Sequence, residues 1–327
     1  MRAATLAAPG VVEVADFPIH EIGPGQLLVR MHYAAICGSD VHMVYDRMHD
    51  PARIGTPGYP GHEGIGVVTE SRSGHVPVGT AVLTVPLGRS GGCFAEYQQV
   101  DDTQVVPLPD GADLRRLLLA QQLGTTIYAM RKFTRALVEP PEHVAVLGAG
   151  AAGLFFVQLA RQAGCRSVVV SDLSEERLAL AATLGASATV LAPQHDLVAA
   201  VRDCTAGAGA DLVIEAAGYD RTRADAVEAA REHGTVGLFG YPERHGRSPF
   251  PVERAFRRSL TLEWISGTQQ EPGLRSFREA VGAIRSGAIA VDHCLTCMYD
   301  LDRAPEALQR ARDLGRGVAK VGFAITG

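Results

Sequence analysis

This chain predicts an α/β protein of two domains: a β-rich first part, then a parallel sheet wound between helices. Three observations carry that expectation. The 327 residues exceed what one hydrophobic core usually holds. Residues 1 to about 120 hold short β-branched runs at 27–29, 66–68, 81–85 and 104–106, set between Pro and Gly, with little helical periodicity. From residue 142 strands and helices alternate. There the strands are runs of Val, Ile and Leu rather than alternating patterns, as expected of strands buried on both faces.

The elements follow in order. The first part is punctuated strand. Residues 113–130 are apolar at helical spacing and predict one long helix. EHVAVLGAG reads as a buried strand entering a glycine turn, and AAGLFFVQLARQAG as a helix closed by Gly164. SVVVSD is the next strand, and EERLALAATLG a helix ended by Gly185. ATVLA, a helix at 197–204, DLVIEAAG, a helix at 222–232 and GTVGLFG complete the alternation. After about 267 come a helix at 273–285, the strand-like CLTCMY, a helix at 302–313 and a last strand, AKVGFAI. This tail comes too late to be a further repeat and is compatible with a return to the first domain.

Composition narrows the function. Hydrophobic residues make up 46%, ordinary for a soluble globular protein. The net charge of −5 is mixed along the chain, and no basic block marks a nucleic-acid partner. No apolar run is long enough for a membrane span, and MRAATLAAPG is broken too early for a secretion signal. The six Cys form no disulfide framework, which favours reduced thiols and a cytoplasmic location. Cys294 and Cys297 form the one CxxC, with no second pair to complete a zinc ribbon; on a strand their side chains would face opposite ways.

The glycine turn is the strongest local signal. GAGAAG, Gly148 to Gly153, follows a strand and opens a helix. Gly148 permits the turn, Gly150 lets a pyrophosphate approach the backbone, and Gly153 lets helix and strand pack. The helix N-terminus offers free N–H groups to phosphate. Asp172 ends the next strand, where a carboxylate hydrogen-bonds a ribose 2′-hydroxyl and repels a 2′-phosphate, favouring NAD over NADP. Arg177 stands nearby, facing either the cofactor or solvent. A glycine turn that binds nothing, or a methyltransferase loop, would look similar.

AICGSDVH at 35–42 and PGHEGIGVV from residue 60 gather thiol, hydroxyl, carboxylate and imidazole groups. With CGSDVH, GHEGIGVV, GGCFAEY, GAGAAG and the final AKVGFAI in this order, the chain resembles the zinc-type alcohol dehydrogenases of the medium-chain dehydrogenase/reductase superfamily over nearly its whole length. The resemblance implies a GroES-like (chaperonin-ten-like) β-barrel catalytic domain over 1–124 and 268–327 and an NAD(P)-binding Rossmann domain over 125–267. It also implies NAD, one catalytic zinc, a small-molecule substrate and a homodimer or homotetramer. Cys37 and His62 would be zinc ligands. Ser39 would hydrogen-bond the substrate oxygen, His42 would pass the proton to solvent, Asp40 would orient His62, and Glu63 would lie beside the metal. Thr125 would pack against the nicotinamide.

Two departures from the family pattern stand out. Val85 and Gly91 are joined by PLGRS alone, so the four-Cys lobe is absent and no structural zinc is expected. At the third catalytic ligand position, AQQLGTTIYAM places Gln121, a poorer zinc ligand than thiolate or carboxylate. Glu63 could replace it, Gln121 could bind weakly, or zinc could be lost. Three functions follow: zinc-assisted alcohol/ketone interconversion, a zinc-free reductase of conjugated C=C or C=N bonds, and a non-catalytic nucleotide-binding protein. The substrate pocket is expected around 39–45, His62, 86–91 and 265–268, with Arg47, Arg53 and Arg89 close by.

Overall fold

The computed structural model describes residues 1–87, 92–313 and 317–325. Arg89, in the expected pocket, lies outside the described residues. The chain forms two compact units, Met1–Gly124 with Gln269–Gly327, and Thr125–Thr268.

The first unit begins with the hairpin β1 (Arg2–Ala8) and β2 (Val11–Asp16). β3 (Gln26–Ala35) leads into α1 (Gly38–Tyr45), and β4 (Glu63–Ser71), β5 (Ala81–Thr84), β6 (Tyr97–Asp101) and β7 (Val105–Pro107) follow. CGSDVH is therefore neither a turn nor strand. It starts an eight-residue helix with Cys37 at its N-cap.

Residues 113–130 do not make the single helix that their spacing predicts. Asp113 caps the short α2 (Leu114–Leu117), and the chain restarts as α3 (Ala120–Thr134). Asp113 accepts from the Arg116 N–H at 3.1 Å, which gives α2 a start of its own.

The Thr125–Thr268 unit alternates strictly: β8 (His143–Leu147), α4 (Ala151–Gln162), β9 (Ser167–Asp172), α5 (Glu175–Thr183), β10 (Ala188–Leu191), α6 (Leu197–Cys204), β11 (Ala210–Glu215), α7 (Asp220–Ala229), β12 (Ala230–Leu238), α8 (Val252–Arg257) and β13 (Thr261–Trp264). Its strands pair in parallel in the order β10-β9-β8-β11-β12-β13. That is the doubly wound Rossmann order, with its switch point between β8 and β11. The core of this unit includes Leu147, Val169, Val213 and Val236 from the sheet, as the Val-rich runs demand.

The tail adds α9 (Arg275–Arg285), β14 (Met298–Asp300), α10 (Ala304–Arg312) and β15 (Gly322–Ala324). CLTCMY is mostly not strand. Cys294 ends a 3-10 turn, and only Met298 onward pairs.

β15 pairs antiparallel with β3. The GroES-like sheet runs β14-β15-β3-β4-β5-β7, and β6 also pairs with β3. The ten-residue β3 serves both: Gln26–Arg30 faces β6, and Tyr33–Ala35 faces β15. Phe323 stacks edge-on against Phe94 at 4.9 Å between ring centroids, which ties the tail into the core of this unit.

Candidate functional site

Three possible metal-binding side chains meet in the first unit. One ligand atom each from Cys37, His62 and Glu63 lies within 4.8 Å of the other two. Local structure delivers them. α1 starts at Gly38, so Cys37 sits at its N-terminal end. His62 immediately precedes β4, and Glu63 opens it. Gly61 is needed here because a Cβ at this position would overlap the Phe94 ring, the core group that also holds β15.

Asp40 organises the trio. It is fully buried on the first turn of α1. One carboxylate oxygen accepts from the Cys37 N–H at 2.9 Å, and the other lies 2.9 Å from His62 Nδ1. A carboxylate on Nδ1 leaves Nε2 as the liganding nitrogen and fixes the ring's orientation. Burial opposes charge on His62, but the Asp40 carboxylate and the Cys37 sulfur outweigh it and hold the imidazole well above its ordinary pKa.

Glu63 is 1% exposed. Its Oε2 meets Lys320 Nζ at 2.6 Å, and Lys320 also donates to Gln122 Oε1 at 3.1 Å. Burial disfavours the ammonium, but Glu63 and Cys37 offset this and keep its pKa above the usual lysine value. Glu63 Oε1 is buried with no hydrogen-bond partner. An orphaned anionic oxygen beside a thiol and an imidazole is the donor set of a zinc site, so these residues fit that ion.

Two other thiols are poorly suited to ligation. Burial raises Cys93 well above the ordinary thiol range and pushes Cys294 up to about 12.

Ser39 is half-buried on α1. His42 lies one turn on, its Nδ1 2.7 Å from Asp46 Oδ2. Gln121 is buried in the first turn of α3, and Thr125 is half-buried in the second. Arg53, one of the expected pocket arginines, stacks its guanidinium on the Tyr59 ring at 4.4 Å.

The Rossmann unit carries its own constellation. Gly148 has φ +101, in the left-handed region, and a Cβ on Gly153 would overlap the Gly148 carbonyl oxygen. Gly150 caps α4, and nothing lies within 4 Å of where its Cβ would be. That open space above free helix N–H groups is a cradle for a dinucleotide pyrophosphate, so the loop fits such a cofactor. Asp172 Oδ2 accepts from the Ala149 N–H at 2.6 Å, and Oδ1 accepts from the Ser174 N–H at 2.9 Å. The carboxylate is thereby locked at the tip of β9. Arg177 stands 4.0 Å from it.

Sequence reading missed Lys320, Gln122 and Asp46. For Lys320 a signal was present: a lone lysine in the apolar AKVGFAI, where a charge needs a buried partner.

Known proteins resemble this chain in both units. Residues 23–110 match the alcohol dehydrogenase GroES-like domain, and 151–284 match the zinc-binding dehydrogenase domain. The "probable zinc-binding alcohol dehydrogenase" of Mycobacterium tuberculosis is 31% identical, covering 95% of this chain and 85% of its own. L-threonine 3-dehydrogenase of Bacillus subtilis is 26% identical over 91% of each chain. A Sinorhizobium meliloti 1021 protein solved with NADP superposes with a TM-score of 0.84 at 26% identity, covering 99% of this chain and 98% of that one. A paired GroES-like and Rossmann architecture, a Cys–His–Glu cluster and a glycine cradle thus coincide in one chain, which belongs to the zinc-type alcohol dehydrogenases of the medium-chain dehydrogenase/reductase superfamily.

Proposed function

We propose that this oxidoreductase is an NAD-dependent dehydrogenase that interconverts a secondary or polyol-like alcohol and its ketone. The observation that carries the reading is the Cys37–His62–Glu63 cluster with Asp40 behind it. Cys37, His62 and Glu63 would hold one zinc, with Gln121 as a weak fourth donor. Zinc there supplies a Lewis acid that lowers the pKa of the substrate alcohol. Ser39 hydrogen-bonds the substrate hydroxyl, and His42 carries its proton toward water. Asp40 keeps His62 in one tautomer. In the Rossmann unit, Gly148, Gly150 and Gly153 shape the pyrophosphate cradle, and Thr125 flanks the nicotinamide. Asp172 and Arg177 hold the adenosine ribose, and the Asp172 charge selects against a 2′-phosphate.

The test is metal analysis with turnover on an alcohol panel. About one zinc per chain, and NAD reduction lost on Cys37→Ser, is the expected result; well under one zinc after supplementation sinks the zinc mechanism. A second reading, a zinc-free C=C or C=N reductase, is favoured by one observation: the Lys320 ammonium already balances Glu63. It predicts that Cys37→Ser leaves turnover largely intact.

Among the described residues no helix is long and apolar enough to cross a membrane. We further propose a cytoplasmic homo-oligomer that pairs through β13. That strand is the edge of the Rossmann sheet, and its Trp264 is 57% exposed.

A further inference from the structure

We propose that Asp46 is a positioning residue for His42: it holds the imidazole in the Nδ1–H tautomer, leaving Nε2 as the nitrogen that receives the substrate proton. The proposal deepens the dehydrogenase reading and rests on it for the role of His42. Asp46 follows the last residue of α1, and its Oδ2 lies 2.7 Å from His42 Nδ1. A carboxylate at a helix C-terminus faces the negative end of the helix dipole, so helix stability does not favour it there. The backbone nevertheless pins it. The Asp46 N–H donates to the His42 carbonyl at 3.0 Å, and the Met48 N–H reaches the same oxygen at 3.2 Å. Between them Arg47 takes φ 58, a left-handed conformation uncommon for a residue with a side chain.

Exposure is graded along the pair. The His42 side chain is 15% exposed and that of Asp46 42%, so a shielded base is backed by a carboxylate that water reaches. His49, the nearest other imidazole in sequence, is engaged elsewhere, its Nδ1 3.0 Å from the Met43 carbonyl. An aspartate on Nδ1 fixes the tautomer and stabilises the imidazolium formed when Nε2 takes a proton, the division of labour seen in hydrolase triads. An ordinary exposed i,i+4 pair would hold the ring only loosely and would not matter to turnover.

The experiment is ¹⁵N-histidine NMR of the full chain near pH 8, with the His42 signals assigned by His42→Gln. The wild type should show His42 as Nδ1–H, and Asp46→Ala should move it to the Nε2–H form that free imidazole prefers. With a substrate found by the alcohol panel, Asp46→Ala should lower kcat about 10–100-fold while KM stays within about twofold, and Asp46→Glu should recover part of the loss. His42 as Nε2–H in the wild type, an unmoved tautomer in Asp46→Ala, or a switched tautomer with unchanged kcat each overturns the proposal. If wild type turns over no alcohol, the dehydrogenase reading and the relay role of Asp46 fall together; the tautomer signal then separates a real His42–Asp46 lock from no lock at all.

Discussion

Replacing Lys320 by Met tests the charge balance of the site. The substitution keeps the apolar length of the side chain and removes the ammonium that lies 2.6 Å from Glu63 Oε2 and 3.1 Å from Gln122 Oε1. The side chains of Lys320 and Glu63 are 6% and 1% exposed, so water cannot replace the lost partner. Stranding one member of a buried pair costs about 3–5 kcal/mol. For a unit of this size that is a fall in Tm of roughly 10 °C, at about 2–4 °C per kcal/mol. Calorimetry on chelator-treated protein reads it directly. Zinc should then restore more stability to Lys320→Met than it adds to wild type, since the cation now neutralises an otherwise stranded Glu63; saturation at 100 times Kd contributes about 2.7 kcal/mol. The double variant Lys320→Met/Glu63→Gln removes both charges and should recover most of the loss. A Tm for Lys320→Met within about 1 °C of wild type, or a double variant no more stable than the single, would refute the argument.

Other predictions follow from the same geometry. Because Asp40 and Cys37 raise the His62 pKa despite burial, a zinc ion entering the metal-free protein competes with a proton that this ring holds more tightly than a free imidazole does. Zinc uptake should therefore release that proton, apparent zinc affinity should rise with pH, and calorimetry in buffers of different ionisation enthalpy should show it; a buffer-independent heat at pH 7 contradicts it. The same raised pKa makes the His62 contribution to metal-free stability fully present below the unfolded value and lost as pH rises through the folded one. Gly153→Ala forces a Cβ onto the Gly148 carbonyl, and overpacking of about 1–3 kcal/mol should weaken NADH binding by roughly 5- to 150-fold, read by quenching of Trp264, the sole tryptophan. Asp172→Ala removes the charge that opposes a 2′-phosphate and unties the Ala149 N–H, so the NAD/NADP preference in kcat/KM should fall by at least about tenfold, or ~1.4 kcal/mol; an unchanged ratio would show that Asp172 does not read the ribose.

What the sequence determined by itself is what short-range physics encodes. The GAGAAG turn is legible because strand, turn and helix lie within one short stretch, with Gly148 and Gly153 answering local steric needs and Gly150 leaving the turn open. The buried parallel strands are legible because burial on both faces favours apolar residues at successive positions rather than at alternate ones. Cys37, Ser39, Asp40 and His42 were readable as one cluster, being neighbours on the chain, though that they lie on a helix was not. The break between α2 and α3 was hidden for a related reason: apolar periodicity continues across Leu118 and Leu119, where α2 has ended and α3 has not yet begun.

Tertiary structure decided what depends on distant pairs. Nothing local places Lys320 on Glu63, since the two meet only because β15 crosses back to pair with β3, beside β4. Nor does spacing show that Asp40 joins Cys37 to His62, or that Glu63 Oε1 is left unpartnered. A buried charge is stabilised or stranded by whatever the fold brings within a few ångströms of it, and chain order does not carry that distance.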